Sequence, residues 1–178
     1  MTVVSTTKDI DALKLVFVAE FDAPPERVWQ VWEDPRQLER WWGPPGYPAT
    51  FVRHEFNADG QSRFFMTAPD GEKSHGYWRV VEIDEPYRLE IDHGLAQADG
   101  EPDPDLPAGR ASVTFEPVEG KTRMTVTNQF LSIKQMNVML GMGMSEGMGM
   151  ALGQIDGLLL GLRDEESMTE TTSSREPA

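Results

Sequence analysis

Apolar residues recur at every second position in a series of short segments, and this alternation constrains the fold more than any other feature of the chain. The first such segment contains Leu13, Leu15, Phe17, Ala19 and Phe21. Alternation puts these side chains on one face of a β-strand. Six further segments between residues 50 and 131 are also predicted to be strands. Because turn residues separate them, we expect an antiparallel sheet of six to seven strands.

Helices are predicted on both sides of this series of strands. Proline is tolerated in a first helical turn, so residues 25–32 form a short helix, and a second short helix follows Asp34-Pro35. The last helix is predicted over residues 133–163. Its apolar stripe repeats at intervals of three and four residues and comprises Met148, Leu152, Ile155, Leu159 and Leu162. The expected fold is therefore α+β, with one long helix covering the apolar face of the sheet.

Length and composition predict a single folded domain. The chain has 178 residues, and the predicted domain spans residues 12–163. Residues 1–11 are polar and are expected to be flexible, while residues 164–178 are expected to form a disordered acidic tail. Because there is no cysteine, disulfides and thiolate sites are excluded.

Charge and the pattern of apolar residues argue against two classes of partner. The net charge of −14 disfavours nucleic-acid binding, which depends on clustered Lys and Arg. Residues 138–162 are apolar enough to suggest a membrane span, but they contain Glu146, Asp156 and seven glycines. No secretory signal begins the chain, so we expect a cytoplasmic protein without a membrane partner.

One group of residues resembles the opening of a known protein family. The group comprises residues 21–29, Trp32, Asp34-Pro35, Leu38 and residues 40–44. Weaker matches are Pro69-Asp70-Gly71, Gly76, residues 86–89, 113–115 and 122–125, and Glu146-Gly147. This pattern resembles the activator of heat-shock protein 90 ATPase homologue family, whose members are START-like, or SRPBCC, proteins. The resemblance covers about residues 13–162 and implies a helix-grip fold, in which a curved antiparallel sheet wraps around a long C-terminal helix.

The resemblance leaves three functions open. Such proteins include a eukaryotic co-chaperone domain, small-molecule binders and members without a known activity. We favour non-catalytic binding of a small apolar or amphipathic molecule in a cavity between the sheet and the C-terminal helix. The alternatives are a chaperone-binding or partner-binding module with a role in stress response, and a cyclase-like or hydrolase-like enzyme that uses His54 or His93 as acid and base.

The predicted ligand-binding residues lie on apolar faces that should point into the cavity, with one tryptophan at its mouth. Strand alternation and the helix stripe select them. They are Trp41, Val52, His54, Phe56, Phe64, Met66, Trp78, Leu89, Ile91, His93, Met148, Leu152 and Ile155.

Histidine is the only candidate for chemistry in this set. Alternation places His54 and His93 among apolar residues, where each could be a hydrogen-bonded core residue or a cavity residue that orients a ligand. No His, Asp or Glu spacing resembles a known metal site, and no glycine-rich nucleotide loop follows a strand. We therefore expect no metal, no cofactor and no assigned catalytic residue.

The last helix is unusually rich in glycine and methionine. Gly149, Gly153, Gly157 and Gly161 recur every four residues, opposite the apolar stripe. Glycine costs a helix about 0.5–1 kcal/mol relative to alanine, so a compensating contact is expected, most simply with the same helix of a second copy in a homodimer. Alternatively, the helix bends to admit a ligand, or residues 141–149 are not fully helical. The crowded methionines suit a packed core, a pliable cavity wall or a partner-binding patch.

Overall fold

The protein is an eight-stranded antiparallel sheet covered on one face by helices. The computed structural model describes residues 3–106 and 108–161, and the counts that follow refer to these residues. The sheet order is β1-β2-β8-β7-β6-β5-β4-β3, and every neighbouring pair is antiparallel. The strands are β1 Val3–Asp9, β2 Lys14–Phe21, β3 Ala49–His54, β4 Gln61–Thr67, β5 Lys73–Asp84, β6 Arg88–Ala96, β7 Gly109–Val118 and β8 Lys121–Gln129.

Two short helices connect β2 to β3, and a helical region follows β8. Helix α1 spans Pro25–Glu33, and α2 spans Pro35–Leu38, where the Asp34 side chain accepts a hydrogen bond from the Arg36 backbone. Helices α3 (Ile133–Gly141) and α4 (Met144–Leu152) are followed by a helical segment at residues 155–161. The curved sheet and the C-terminal helical region form the expected α+β helix-grip fold.

The first strand was not anticipated from the sequence. In place of the flexible segment expected at residues 1–11, β1 pairs along β2 and forms one edge of the sheet. Residues 5–9 are exposed, so the period-two burial that reveals an inner strand is missing here. The sheet therefore has eight strands rather than six to seven.

The C-terminal helix is more broken than predicted. Gly143 has a φ of +84°, a left-handed conformation that ends α3 and precedes α4. A turn at residues 153–154 separates α4 from the last helical segment. The predicted helix end at residue 163, the stripe residue Leu162 and the predicted disordered tail at 164–178 lie outside the described residues.

The core lies between the inner face of the sheet and these helices. From the helical region Leu152, Ile155 and Leu159 are buried, as the stripe predicts, together with Ala151 and Leu158. Burial of apolar surface at about 25 cal/mol per Å² is the main force holding this layer to the sheet. No helix in residues 3–106 and 108–161 combines the length and apolarity that crossing a membrane requires.

Candidate functional site

A cavity of about 300 Å³ lies between the inner face of the sheet and the helical region. Strands β4 to β8 form its floor, α3 and α4 form its roof, and the segment after α2 forms one wall. Its lining contains no Asp, Glu, Lys or Arg among the described residues. The space is therefore suited to an uncharged, mainly apolar occupant.

Small residues at central positions of the inner face leave space above the sheet for the cavity. On β5, Gly76 lies directly opposite Phe64 of β4, and a Cβ at residue 76 would come within 2.8 Å of the Phe64 ring. On β7, Ala111 lies between Ile91 of β6 and Asn128 of β8. A larger side chain at either small residue would take up cavity volume or displace a ring.

Four methionines line the roof. Met139 comes from α3, Met142 from the turn directly after α3, and Met144 and Met148 from α4. Unbranched thioether side chains adapt their shape at little cost in strain. The break at Gly143 lies within this roof, so the most adaptable side chains flank the most irregular backbone.

The wall beside α2 is aromatic and is hydrogen-bonded to α1 and to the C-terminal helical region. Trp41 donates its indole N–H to the Val31 carbonyl at 2.8 Å, which fixes the wall to α1. Gln154 donates its side-chain amide to the Trp41 carbonyl at 3.2 Å and the Gly43 carbonyl at 2.8 Å. Trp42 meets Trp41 edge to face, with ring centroids 5.6 Å apart. These bonds hold a rigid aromatic surface against the cavity.

Asn128 brings a polar group to an otherwise apolar stretch of the floor. Its side-chain nitrogen donates to the Leu15 carbonyl at 3.3 Å and to the Met148 sulfur at 3.6 Å. Because a carbonyl oxygen can only accept, the nitrogen must lie on that side, and the orientation of the amide is fixed. The remaining atom, Oδ1, is buried and has no hydrogen-bond partner among the described residues. Such an atom costs about 1–3 kcal/mol.

His93 is the second polar side chain of the floor. It lies on β6 opposite Trp78, and its ring makes no hydrogen bond within the part of the chain that the structure describes. Burial lowers the pKa of His93 to about 4, against a smaller opposing effect of Asp92. The ring is therefore neutral at physiological pH.

The opposite end of the inner face is solidly packed. Trp29 meets Phe56 and Phe115 edge to face, with ring centroids 5.2 and 5.3 Å apart. Met124 lies opposite Phe115 and is fully buried. We call this region, formed by Trp29, His54, Phe56, Phe115 and Met124, the filled end, and the cavity with its lining the cavity end.

His54 at the filled end has both ring nitrogens engaged. Nε2 lies 2.9 Å from the Trp32 carbonyl, and Nδ1 lies 2.8 Å from the Ser62 hydroxyl. The carbonyl can only accept, so Nε2 carries the proton and the Ser62 hydroxyl donates to Nδ1. Burial lowers the pKa of His54, although the Trp32 carbonyl favours the charged form. His54 is thus a satisfied core residue, the first of its two predicted roles.

The structure brings seven of the thirteen predicted site residues together in the cavity lining. These are Trp41, Phe64, Met66, Ile91, His93, Met148 and Leu152. The other six lie elsewhere. His54 and Phe56 belong to the filled end, and Trp78, Leu89 and Ile155 are buried in the core outside the lining.

Val52 is on the wrong face, and the prediction for this residue has to be corrected. Its side chain is 68% exposed. Phe51 pairs with Phe64 and Arg53 pairs with Arg63, so β3 has one extra residue at a β-bulge. The bulge reverses the alternation, which buries Phe51 before it and turns His54 inward after it.

Sequence reasoning missed Asn128, although β8 carries a signal for it. Thr122, Met124 and Val126 alternate as inward residues, and the same alternation makes Asn128 a polar residue at an inward position. A buried polar residue on an apolar face is more informative than an exposed apolar one. Ala111 was also missed, because it does not stand out from ordinary core residues in sequence. Met139 was not among the predicted ligand-binding residues, although it belongs to the crowded methionines for which a cavity wall was one interpretation.

Among the described residues, the cavity lining has no paired titratable groups of the kind that acid–base catalysis uses. The other lining histidine, His75, has its ring 5.8 Å from Phe65, with which it is paired across the outer face. His93 therefore has no carboxylate or second imidazole beside it in the lining. Within the described part of the chain, no three His, Asp or Glu side chains converge to hold a metal ion.

Comparison with known proteins places this architecture among solved relatives. The family model of Activator of Hsp90 ATPase homolog 1-like protein matches residues 22–159. A solution NMR structure of a protein from Arthrobacter aurescens is 52% identical, covers 89% of this chain and 92% of that one, and has a TM-score of 0.85. The crystal structure of protein Ms6760 from Mycobacterium smegmatis is 43% identical over 88% and 96% of the two chains, with a TM-score of 0.82. No curated protein matches the chain.

Proposed function

The chain belongs to the family of Activator of Hsp90 ATPase homolog 1-like proteins, and we propose that it binds a small apolar or amphipathic molecule in its cavity. The observation that carries the proposal is the space of about 300 Å³ beside a fully packed filled end. The space is partly open to solvent and its lining is mainly apolar, so an apolar occupant would bury surface that otherwise contacts water. Its volume lies at the lower end of small-molecule sites.

The chemistry of the lining supports this proposal over an enzymatic one. The wall is aromatic, the roof is rich in methionine, and the lining lacks Asp and Glu among the described residues. The site therefore offers contact area and shape adaptation but no general acid–base pair. We also propose a cytoplasmic location, which the absence of cysteine supports.

The proposal can be tested with N-phenyl-1-naphthylamine, a neutral apolar dye whose fluorescence rises in an apolar environment. We expect saturable binding of one dye per chain. Ala111→Leu should weaken binding at least tenfold, because the new side chain rises from the floor into the cavity. Ala98 is exposed, so Ala98→Leu is the matched control and should leave binding unchanged.

Two results would contradict the proposal. The first is a wild-type protein that gives no saturable signal. The second is a protein whose dye binding is the same in Ala111→Leu and Ala98→Leu, because the dye would then be bound outside the cavity.

The outer face of the helical region supports a second element of the proposal, a homodimer. Gly153, Gly157 and Gly161 are exposed there, next to Met150 and Leu160. Small residues allow two helices to approach closely, and flanking apolar side chains gain from burial. Gly149 does not share this face fully, since it is half-buried and a Cβ at its position would lie 4.0 Å from the Phe17 ring.

The dimer is tested by molar mass in solution. We expect a two-chain mass for the wild type and a one-chain mass for Gly157→Leu. A Cβ at residue 157 meets nothing within 4 Å, so the substitution should not disturb the monomer. Gly153→Leu is the second variant. A monomeric wild type would end this part of the proposal.

A chaperone partner is the remaining candidate, and the family description is the observation that favours it. A protein of this kind would raise the ATPase rate of a heat-shock protein 90 and take part in the stress response. The experiment is a steady-state ATPase assay with and without the protein. An unchanged rate at saturating protein would exclude this activity.

A further inference from the structure

The cavity end contains an unused hydrogen-bond acceptor that specifies more than an apolar occupant. Asn128 is 1% exposed, lines the cavity and keeps its Oδ1 without a donor, while its amide nitrogen is fixed toward Leu15 and Met148. The free atom is thus an acceptor, and the amide cannot turn a donor toward the cavity without losing the bond to a carbonyl.

Asn128 differs in this respect from the other buried polar atoms without partners. Gln37 Oε1 is also an unpaired amide oxygen, but Gln37 does not line the cavity. The indole N–H groups of Trp32, Trp42 and Trp78 lack conventional acceptors as well. They lie within a cluster of edge-to-face rings, where an aromatic face can receive an N–H. A carbonyl oxygen has no such substitute, so Asn128 is the stronger indicator of a missing partner.

The surroundings of Asn128 define the charge of that partner. Ala111 separates Asn128 from Ile91 on the floor, and His93 lines the same part of the cavity. The described lining has no Lys or Arg that could balance an anion, and Oδ1 itself would repel a carboxylate. A cation would find no carboxylate in the lining either.

We propose that the cavity selects neutral apolar molecules that carry a hydroxyl group, which donates a hydrogen bond to Asn128 Oδ1. This inference rests on the proposed function and names its ligand class. The apolar body of such a molecule would lie under the methionines of the roof, with the hydroxyl at the floor beside His93. An ionised fatty acid, by contrast, would place a carboxylate against an acceptor.

A water molecule is the competing partner for the same atom. A second cavity of about 20 Å³ adjoins the first, shares His93 and Asn128 with it, and is lined in addition by Gln135. This volume is about that of one water molecule. If a water molecule donates permanently to Oδ1, a ligand hydroxyl forms no additional hydrogen bond there. A hydroxylated ligand should then bind no more tightly than one without the hydroxyl, which distinguishes the water from a ligand as the partner of Oδ1.

The test compares three ligands of one shape in competition with N-phenyl-1-naphthylamine. They are 2-naphthol, 2-methylnaphthalene and 2-naphthoate, which carry a hydroxyl, a methyl and a carboxylate at the same position. We expect 2-naphthol to bind about tenfold more tightly than 2-methylnaphthalene, and 2-naphthoate to bind most weakly. In Asn128→Leu, which keeps the shape of the side chain, the preference for 2-naphthol should disappear.

The control is Asn137→Leu, the same substitution at an exposed position of α3. It should leave the order of affinities unchanged. Equal affinity of 2-naphthol and 2-methylnaphthalene in the wild type overturns the inference but leaves the proposed function standing. So does tightest binding of 2-naphthoate, or a preference that persists in Asn128→Leu. If none of the ligands nor the dye binds, both proposals fail. Should Asn128→Leu not fold, the order of affinities in the wild type decides alone.

Discussion

The filled end and the cavity end belong to the same face of the same sheet, yet only one of them is solidly packed. At the filled end, α1 places Trp29 against Phe56 and Phe115. Strand β7 contributes an inward residue to each end. At the filled end this residue is the large Phe115, whereas at the cavity end it is the small Ala111. Both ends are apolar by pattern, so side-chain size and the opposing helix decide which of them is open.

The helices above the two ends differ in the same way. Helix α1 is unbroken and buries two tryptophans, whereas the roof of the cavity is interrupted at Gly143 and relies on methionine. His54 and His93 follow this division: both ring nitrogens of His54 are hydrogen-bonded, whereas those of His93 have no partner among the residues that the structure describes. The comparison indicates that one end stabilises the fold and the other is available for binding.

Truncating one methionine at each end should give the largest difference. Met124→Ala should lower the free energy of unfolding by about 2–5 kcal/mol, because it opens a new void in a packed region. Met148→Ala should cost less than about 1.5 kcal/mol, because this side chain already borders empty space. Urea unfolding followed by circular dichroism measures both. Equal losses would mean that the cavity end is as tightly packed as the filled end.

The next largest effect is expected in the pH dependence of stability, to which His93 at the cavity end should contribute. The unfolded chain protonates this residue near its usual pKa of 6.5, whereas the folded chain does so only near a pKa of about 4. Between these values the unfolded state binds more protons, so stability falls as the pH falls. The difference between the two pKa values corresponds to roughly 3 kcal/mol of unfolding free energy. About 2–3 kcal/mol of this should be lost between pH 7 and 4.5.

His93→Leu isolates this effect from the many carboxylates that titrate in the same range. The wild type should lose about 2–3 kcal/mol more than the variant between the two pH values. Urea unfolding at each pH provides the numbers. An identical pH dependence in both proteins would show that His93 is solvated and does not face a dry cavity.

The sequence predicts the sheet and the helix that covers the filled end, although it assigns His54 and Phe56 of that end to the cavity. Alternation in β2 and the positions of Trp29 and Trp32 are enough to predict a packed sheet and a short covering helix. The exposure of Val52 was not predictable in this way, because a β-bulge changes the phase of a strand without a local residue signature. Edge strand β1 was missed because its residues 5–9 are exposed and polar.

The cavity depends on features that a sequence does not locate. The chain has seven glycines between residues 141 and 161, and only Gly143 among them takes a left-handed conformation. The low floor results from pairing Ala111 with Ile91 and Asn128, a register that local patterns cannot supply. Asn128 could have been predicted, however, because it is the one amide on the inward face of β8.

A smaller effect is expected at the Phe64 ring, which lines the cavity. Gly76→Ala places a Cβ against the Phe64 ring, which must move toward the cavity. We expect a loss of about 1–3 kcal/mol in unfolding free energy and weaker dye binding. Gly71, an open turn glycine with a φ of +87°, makes a comparison site in Gly71→Ala, which should lose stability without affecting the dye. Unchanged dye affinity in Gly76→Ala would show that Phe64 moves elsewhere.

The smallest expected effects concern the helical region above the cavity. Gly157→Ala should raise the free energy of unfolding by about 0.5–1 kcal/mol, because the added Cβ meets open space in a helix. Gly143→Ala should lower it by about 1 kcal/mol, since residue 143 has a left-handed φ of +84°. Thermal unfolding at a chain concentration that keeps the protein monomeric compares the two. The same sign for both would contradict the break at Gly143.

Methionine methyl NMR tests the central claim, that one end of the inner face binds and the other does not. The chain has ten methionines, and their ε-methyl signals can be followed while N-phenyl-1-naphthylamine is added. Met139, Met144 and Met148 line the cavity, whereas Met124 and Met136 are fully buried outside it. The account predicts saturable shifts for the first three signals and none for the other two. It would be contradicted if the signals of Met139, Met144 and Met148 did not shift, or if the signals of Met124 and Met136 shifted as much as those three.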